Sequence, residues 1–137
     1  MSIPLQAHFP ETYNILKVYC DILPYSERSA MYPFGGIVIN LGVSTDCHQD
    51  SLDAEGICVV IPFTRNCERG GLCLYEAHLV FDLQSGDVLI FPSALLTHFN
   101  LHINGLRASF VLHSDKHGKT WVDSRNNWKD GEFGIRI

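Results

Sequence analysis

Apolar and polar residues follow two different rhythms along this chain. In ETYNILKVYCDIL, residues 11–23, Ile15, Leu16, Tyr19, Ile22 and Leu23 recur at the spacing of one helix face. Pro10 suits the first helical position and Pro24 stops the run. The pattern predicts one amphipathic helix over 11–23, packed on the outside of a sheet. The following YSERSAMYP reads as a loop.

From residue 36 the period shortens. GIVINLGV, GICVVIPF, GLCLYE, LVFDL, DVLIF, THFNLHI and LRASFVLH are short runs rich in β-branched and aromatic residues. Turn chemistry separates them: RGG at 69–71, SGD at 85–87 and Asn104-Gly105. Asn-Gly between two apolar runs is the strongest short hairpin signal. The chain therefore reads as mainly β with a packing helix, its strands forming an antiparallel sandwich or barrel. The barrel core covers about residues 35–114. A polar tail, 115–137, carries Trp121 and Trp128 as anchors over the barrel mouth or an edge. No repeat or internal boundary interrupts the 137 residues, so a single domain, 1–137, is expected.

Composition narrows the setting. The chain is 46% hydrophobic and 18% charged, as a globular protein is. No apolar run approaches the roughly 18–20 residues of a membrane span. The start, MSIPLQAHFPETY, lacks the basic and apolar segments of a secretory signal, so an intracellular setting, nuclear or cytoplasmic, is expected. The five cysteines, Cys20, Cys47, Cys58, Cys67 and Cys73, show no CxxC spacing and are expected as reduced thiols. Cys67, Cys73 and His78 lack the spacing of a zinc knuckle. A net charge of −5 does not favour free-standing binding to a nucleic-acid backbone, although a local basic groove would be compatible with it.

The candidate chemistry begins at STDCHQDS, where His48 and Asp50 stand two apart. An ordinary polar loop is the simpler reading of that pair alone. The downstream segment THFNLHINGLRASFVLHS changes its weight. With Asn104-Gly105 as a two-residue turn, Ile103 faces Leu106, His102 faces Arg107 and Asn100 faces Ser109. His98, Asn100, His102, Arg107 and Ser109 then share one face, and Phe99, Leu101, Ala108, Phe110 and Leu112 the other. A water-facing hairpin would normally recruit Lys, Glu and Thr, yet this face holds histidines, an amide, an arginine and a serine. Two histidines and a carboxylate that leave coordination positions open match the facial triad of non-haem iron(II) oxygenases. His98 and Arg107 are separated by roughly 13 Å at 3.4 Å per strand residue. That leaves room for a small dicarboxylate that chelates the metal and meets Arg107 in a bidentate pair, with Ser109 adding a hydrogen bond. 2-Oxoglutarate has this shape.

His48-Gln49-Asp50, then His98, then Arg107-Ala108-Ser109 resembles the Fe(II)/2-oxoglutarate-dependent dioxygenase superfamily. YPFGGIVINLGVSTDCHQD, ICVVIPF, GGLCLYE, LVFDLQSGDVLIFPS and THFNLHINGLRASFVLHSDK are similar to its TET/JBP-like branch, abundant in fungi, over about residues 32–116. The resemblance implies a double-stranded β-helix, the jelly-roll or cupin-like barrel. His48, Asp50 and His98 would hold Fe(II). Arg107 and Ser109 would hold 2-oxoglutarate, and O2 would be the oxidant. Asn40, on the strand before His48, is a further candidate for the cosubstrate, against a strand asparagine bonded to backbone. In that branch the substrates are 5-methylpyrimidines in nucleic acid. The alternatives are the same chemistry on a protein side chain or small molecule, or a binding module of the same fold. A cupin-type isomerase fits less well, because its sites gather H-x-H pairs. No membrane partner is expected, and the chain is compatible with a monomer or a dimer.

Overall fold

In the computed structural model, which describes residues 2–23 and 26–124, two helices open the chain: α1 (Ser2–His8) and α2 (Pro10–Asp21). Pro10 begins α2, where its missing N–H costs nothing. Lys17 and Asp21 pair one turn apart on the exposed side at 2.8 Å. The buried face of α2 is Tyr13, Leu16 and Cys20. This is rotated from the expected stripe, and Leu23 is exposed. The difference comes from α1, a helix of seven residues, too short for apolar spacing to reveal a helical period. α1 contributes Leu5 to the cluster that Tyr13 and Leu16 join with Phe34, Val59 and Leu112. The expected stop at Pro24 lies outside the described residues.

Seven strands follow: β1 (Gly36–Leu41), β2 (Cys58–Arg69), β3 (Leu72–Leu74), β4 (Leu79–Phe81), β5 (Leu89–Phe91), β6 (His98–Asn100) and β7 (Ile103–His113). They form a four-stranded sheet, ordered β1-β7-β2-β5, and a three-stranded sheet, ordered β4-β3-β6, with every pairing antiparallel. This is a double-stranded β-helix, as expected. A helix, α3 (His117–Ser124), ends the described residues. Trp121 lies on it and faces, with Tyr19, Ile22 and Leu23, a small hollow beside α2. Trp128 lies outside the described residues. Among the described residues no helix is long and apolar enough to cross a membrane.

Alternation along β2 builds two cores from one strand. Val59 points to the helices and is fully buried, as is its β7 partner Leu112. Cys58 and Val60 point the other way, toward Leu72, Leu74 and Phe91 between the sheets. Full burial of a side chain such as Leu112 stabilises by about 1.5–3 kcal/mol.

The Asn104-Gly105 hairpin does not form. β7 runs straight through both residues and pairs with β2, Asn104 opposite Glu68 and Ile103 opposite Arg69. β6 pairs with β3 in the other sheet. The physical reason is partner length: β2 offers twelve residues to β7, whereas β6 has three. Gly105 has φ +117 and sits opposite an irregularity between Arg65 and Glu68. A Cβ there would lie 2.2 Å from the Asn66 carbonyl oxygen. The glycine thus permits a close backbone approach at a bulge. The expected facings fall with the hairpin. Ile103 pairs with Arg69 and not Leu106, and Asn100 pairs with Leu72 while Ser109 lies between Asn40 and Pro62. His102 does not face Arg107; it is exposed and borders a shallow groove with Val80 and Asp82. Leu101 does not pack in a core but is exposed.

Candidate metal centre

Loss of the hairpin separates His98 from Arg107 in the sheets yet leaves them around one cavity. The segment after β1 carries His48 and Asp50 to the end of β6. There His48 and His98 exchange backbone hydrogen bonds: His48 N–H to His98 O at 3.2 Å, and His98 N–H to His48 O at 2.9 Å. Asp50 N–H donates to Ser93 O at 3.0 Å. Gln49, between His48 and Asp50, donates to Leu95 O and Thr97 Oγ1. Cys47 is exposed.

The side chains converge. His98 Nε2 lies 3.3 Å from one Asp50 oxygen, and His48 Nε2 lies 3.7 Å from the other. The three ligand atoms are mutually within 4.8 Å. Bonds of about 2.1 Å at right angles place neighbouring ligand atoms about 3 Å apart, so a small contraction suffices to enclose a cation. In both histidines the other nitrogen is engaged by a carbonyl two residues earlier: His48 Nδ1 with Asp46 O at 2.7 Å, and His98 Nδ1 with Leu96 O at 2.9 Å. A carbonyl only accepts, so Nδ1 carries the proton and each Nε2 turns its lone pair toward the Asp50 carboxylate, where a metal could be held. The donor set of two imidazoles and a carboxylate fits Fe(II).

Beyond the triad the space between the sheets is a cavity of about 280 Å³. The sheets bring all six expected residues to it: His48, Asp50 and His98 at one end, and Asn40, Arg107 and Ser109 on the large sheet. Asn40 and Ser109 are direct cross-strand partners of β1 and β7. Arg107 is 8% exposed and donates to Gly70 O. Burial pushes its pKa down, while Cys67 and Asp82 act in the opposite sense. None of the ion pairs among the described residues includes it. A buried guanidinium without a carboxylate partner is primed for an anion.

Other wall residues were not singled out as site residues. Asp53 accepts a 2.5 Å hydrogen bond from buried Ser93 and stands 3.8 Å from His113 Nδ1. Burial raises its pKa above the usual carboxylate value, the Ser93 bond opposes this, and Asp50 adds to it. His113, two alternations beyond Ser109 on β7, also reaches the cavity. Its ring passes over Gly36, where a Cβ would meet Nε2 at 2.8 Å. Asp50, Asp53 and Cys58 also cluster, but burial pushes the Cys58 thiol up to about 12. That keeps it protonated at neutral pH and a poor ligand. All five cysteines are free, and no cluster of Cys67, Cys73 and His78 occurs among the described residues. Only position along the chain hid Asp53, since a lone loop aspartate carries no motif.

No family model and no curated protein matches the chain. Among solved structures, NgTET1 in complex with 5mC DNA is similar, with a TM-score of 0.67 and 21% identity. The match covers 85% of this chain and 46% of that one, so the chain spans about half of NgTET1. An oxidoreductase of the 2OG-Fe(II) oxygenase family from Burkholderia pseudomallei matches with a TM-score of 0.48 and 20% identity, over 70% of this chain and 60% of that one.

Proposed function

We propose that the protein is a non-haem Fe(II)/2-oxoglutarate-dependent dioxygenase. The observation that carries the reading is the joint presence, around one cavity, of a two-histidine, one-carboxylate cluster and a buried arginine that joins none of the described ion pairs. His48, Asp50 and His98 would hold Fe(II), which when bound supplies the redox chemistry that couples O2 and 2-oxoglutarate to substrate oxidation, with succinate and CO2 as co-products. Arg107 anchors the far carboxylate of the cosubstrate through its guanidinium fork. Ser109 and Asn40 hydrogen-bond to it from the same sheet. Their cross-strand pairing fixes both side chains relative to Arg107. Asp53 and His113 remain as polar groups for the substrate, with Ser93 orienting the Asp53 carboxylate.

For the substrate, the fold shared with NgTET1 supports a methylated base, such as 5-methylcytosine, in nucleic acid. Such a base would have to leave its stack to reach the cavity. A net charge of −5 favours a second reading, the same chemistry on a protein side chain or small molecule, because a polyanion is repelled at long range. Protein supplied with Fe(II), 2-oxoglutarate and ascorbate should form succinate, and His98→Ala should abolish it. Nucleoside mass spectrometry of 5-methylcytosine-containing DNA and RNA separates the substrates. Oxidised base supports the first reading, whereas succinate without oxidised base moves the assignment to the second. Absence of succinate in every condition would leave a binding module of this fold.

A further inference from the structure

Two of the three cluster residues ride on a segment without regular structure. Residues 42–53 contain no strand or helix, only the isolated bridges of His48 with His98 and of Asp53 with Asp115. His48 is exposed and Asp50 partly so, so packing does not lock either side chain. Their spacing to His98 then depends on hydrogen bonds beside the ligands.

One set of these bonds begins outside the cavity, at Glu76 in the turn of residues 75–78 between β3 and β4. Glu76 Oε2 accepts from Thr97 N–H at 2.7 Å, and Oε1 accepts from the Thr97 hydroxyl at 2.6 Å. The Thr97 carbonyl accepts from Tyr75 N–H, in the same turn, at 2.9 Å. Thr97 Oγ1 also accepts from Gln49 Nε2 at 3.3 Å, and that amide reaches Leu95 O at 3.2 Å. Every polar group of Thr97 is thus engaged. Thr97 directly precedes His98, and Gln49 stands between His48 and Asp50. One carboxylate therefore joins, through one hydroxyl, the two segments that carry all three cluster residues. Its bonds are charge-assisted, and the Thr97 hydroxyl, first among several donors, holds the Glu76 carboxyl below the usual value. None of Glu76, Thr97 and Gln49 lines the cavity.

Resting on the dioxygenase reading, we propose that Glu76 is a positioning residue for the metal ligands, clasping the His48–Asp50 segment to the residue before His98 through Thr97 and Gln49. The clasp adds a side-chain tie to the backbone bonds that His48 and Asp50 already make. The histidine nitrogens stand 3.7 and 3.3 Å from the Asp50 oxygens, so a cation has only to draw in groups that are already gathered. A segment tied beforehand loses little freedom in that step. Without the clasp the ordering would fall to the metal, and its affinity would drop by that cost.

The test is calorimetric titration of Mn(II) into the metal-free protein, with thermal melts of the same samples. Groups bonded directly to a ligand change metal affinity roughly 10- to 100-fold, and Glu76 acts one residue removed, so Glu76→Ala should weaken Mn(II) about tenfold. Thr97→Val removes the linking hydroxyl at similar shape and should weaken Mn(II) about three- to tenfold, whereas Thr97→Ser restores it and should bind within about twofold of wild type. Both Glu76→Ala and Thr97→Val break one link, so together they should weaken Mn(II) by less than the product of their separate effects. A merely structural role would lower the melting temperature, leave the Mn(II) affinity of the folded protein unmoved and show no rescue by serine. Should Glu76→Ala melt below the titration temperature, Glu76→Gln, of the same reach but with one acceptor oxygen in place of two, decides in its stead. Wild-type Mn(II) affinity in the folded Glu76 variant, equal losses in Thr97→Ser and Thr97→Val, or effects that multiply overturn the clasp and leave the dioxygenase reading standing. Failure of the wild type to bind Mn(II) overturns both.

Discussion

Replacing Arg107 by methionine should move stability and cosubstrate binding in opposite directions. Arg107 is 8% exposed, and burial already pushes its pKa down, the mark of a charge that the fold finds costly. Its one described hydrogen bond goes to Gly70 O. Methionine has similar reach, no charge and a flexible apolar stem. Removing a buried charge that lacks an acidic partner relieves its desolvation, against which the lost Gly70 bond is about 1.5–3 kcal/mol. The melting temperature should therefore stay level or rise. Binding should collapse. A bidentate guanidinium–carboxylate pair contains two charge-assisted bonds of about 1.5–3 kcal/mol each, and at about 1.4 kcal/mol per decade their loss weakens 2-oxoglutarate roughly a hundredfold to ten-thousandfold. Thermal melts in parallel with calorimetry on Mn(II)-loaded protein read both quantities. A variant that melts far lower but binds 2-oxoglutarate with wild-type affinity would refute the reasoning, because it would make Arg107 a structural residue.

Other perturbations follow from the same geometry. A divalent metal at about one hundred times its Kd should stabilise the protein by about 2.7 kcal/mol, roughly 10 °C in a chain of this size, and His98→Ala or Asp50→Ala should remove the shift in thermal melts. Asp53 should make stability fall as pH rises. Its folded pKa is raised, so its cost is absent below the unfolded value of 3.8 and develops as pH climbs through the folded value. Asp53→Asn should accordingly raise the melting temperature of metal-free protein at neutral pH and lose that advantage near pH 3; equal destabilisation at both pH values would contradict this. Gly105→Ala combines a positive φ with a Cβ driven against the Asn66 carbonyl and should cost about 2–5 kcal/mol in urea unfolding.

The strands were legible because each apolar run is short, β-branched and bounded by turn residues. Val59, Val60 and Leu112 occupy the buried positions that alternation requires. The helical face was harder to read. Tyr13, Leu16 and Cys20 became the inner stripe through packing with α1, a helix of seven residues too short to announce itself. Asn104-Gly105 misled for a definite reason: a glycine at positive φ serves a hairpin turn and a bulge equally well, and only the partner strand distinguishes them. The candidate site survived that error. His98 stays next to His48 through the backbone bridge, and Arg107 and Ser109 remain two apart on one strand, so these local spacings do not depend on a direct β6–β7 pairing. The roughly 13 Å between His98 and Arg107 was reckoned along the hairpin and falls with it, as do the places of Asn100 opposite Ser109 and of His102 opposite Arg107. Asp53 was not assignable from sequence, because its significance lies in its burial and in its contacts with Ser93 and His113.

If the triad and Arg107 hold one dicarboxylate between them, its oxo-acid end lies on Fe(II). Anaerobic absorption titration of the Fe(II)-loaded protein with 2-oxoglutarate reads this, since chelation of iron by a 2-oxo acid produces a metal-to-ligand charge-transfer band in the visible. The band should saturate at one 2-oxoglutarate per iron, be absent in His98→Ala, and in Arg107→Met require at least about a hundredfold more cosubstrate. No band in the wild type, or an equal band in His98→Ala, would show that the three residues and Arg107 do not form such a site.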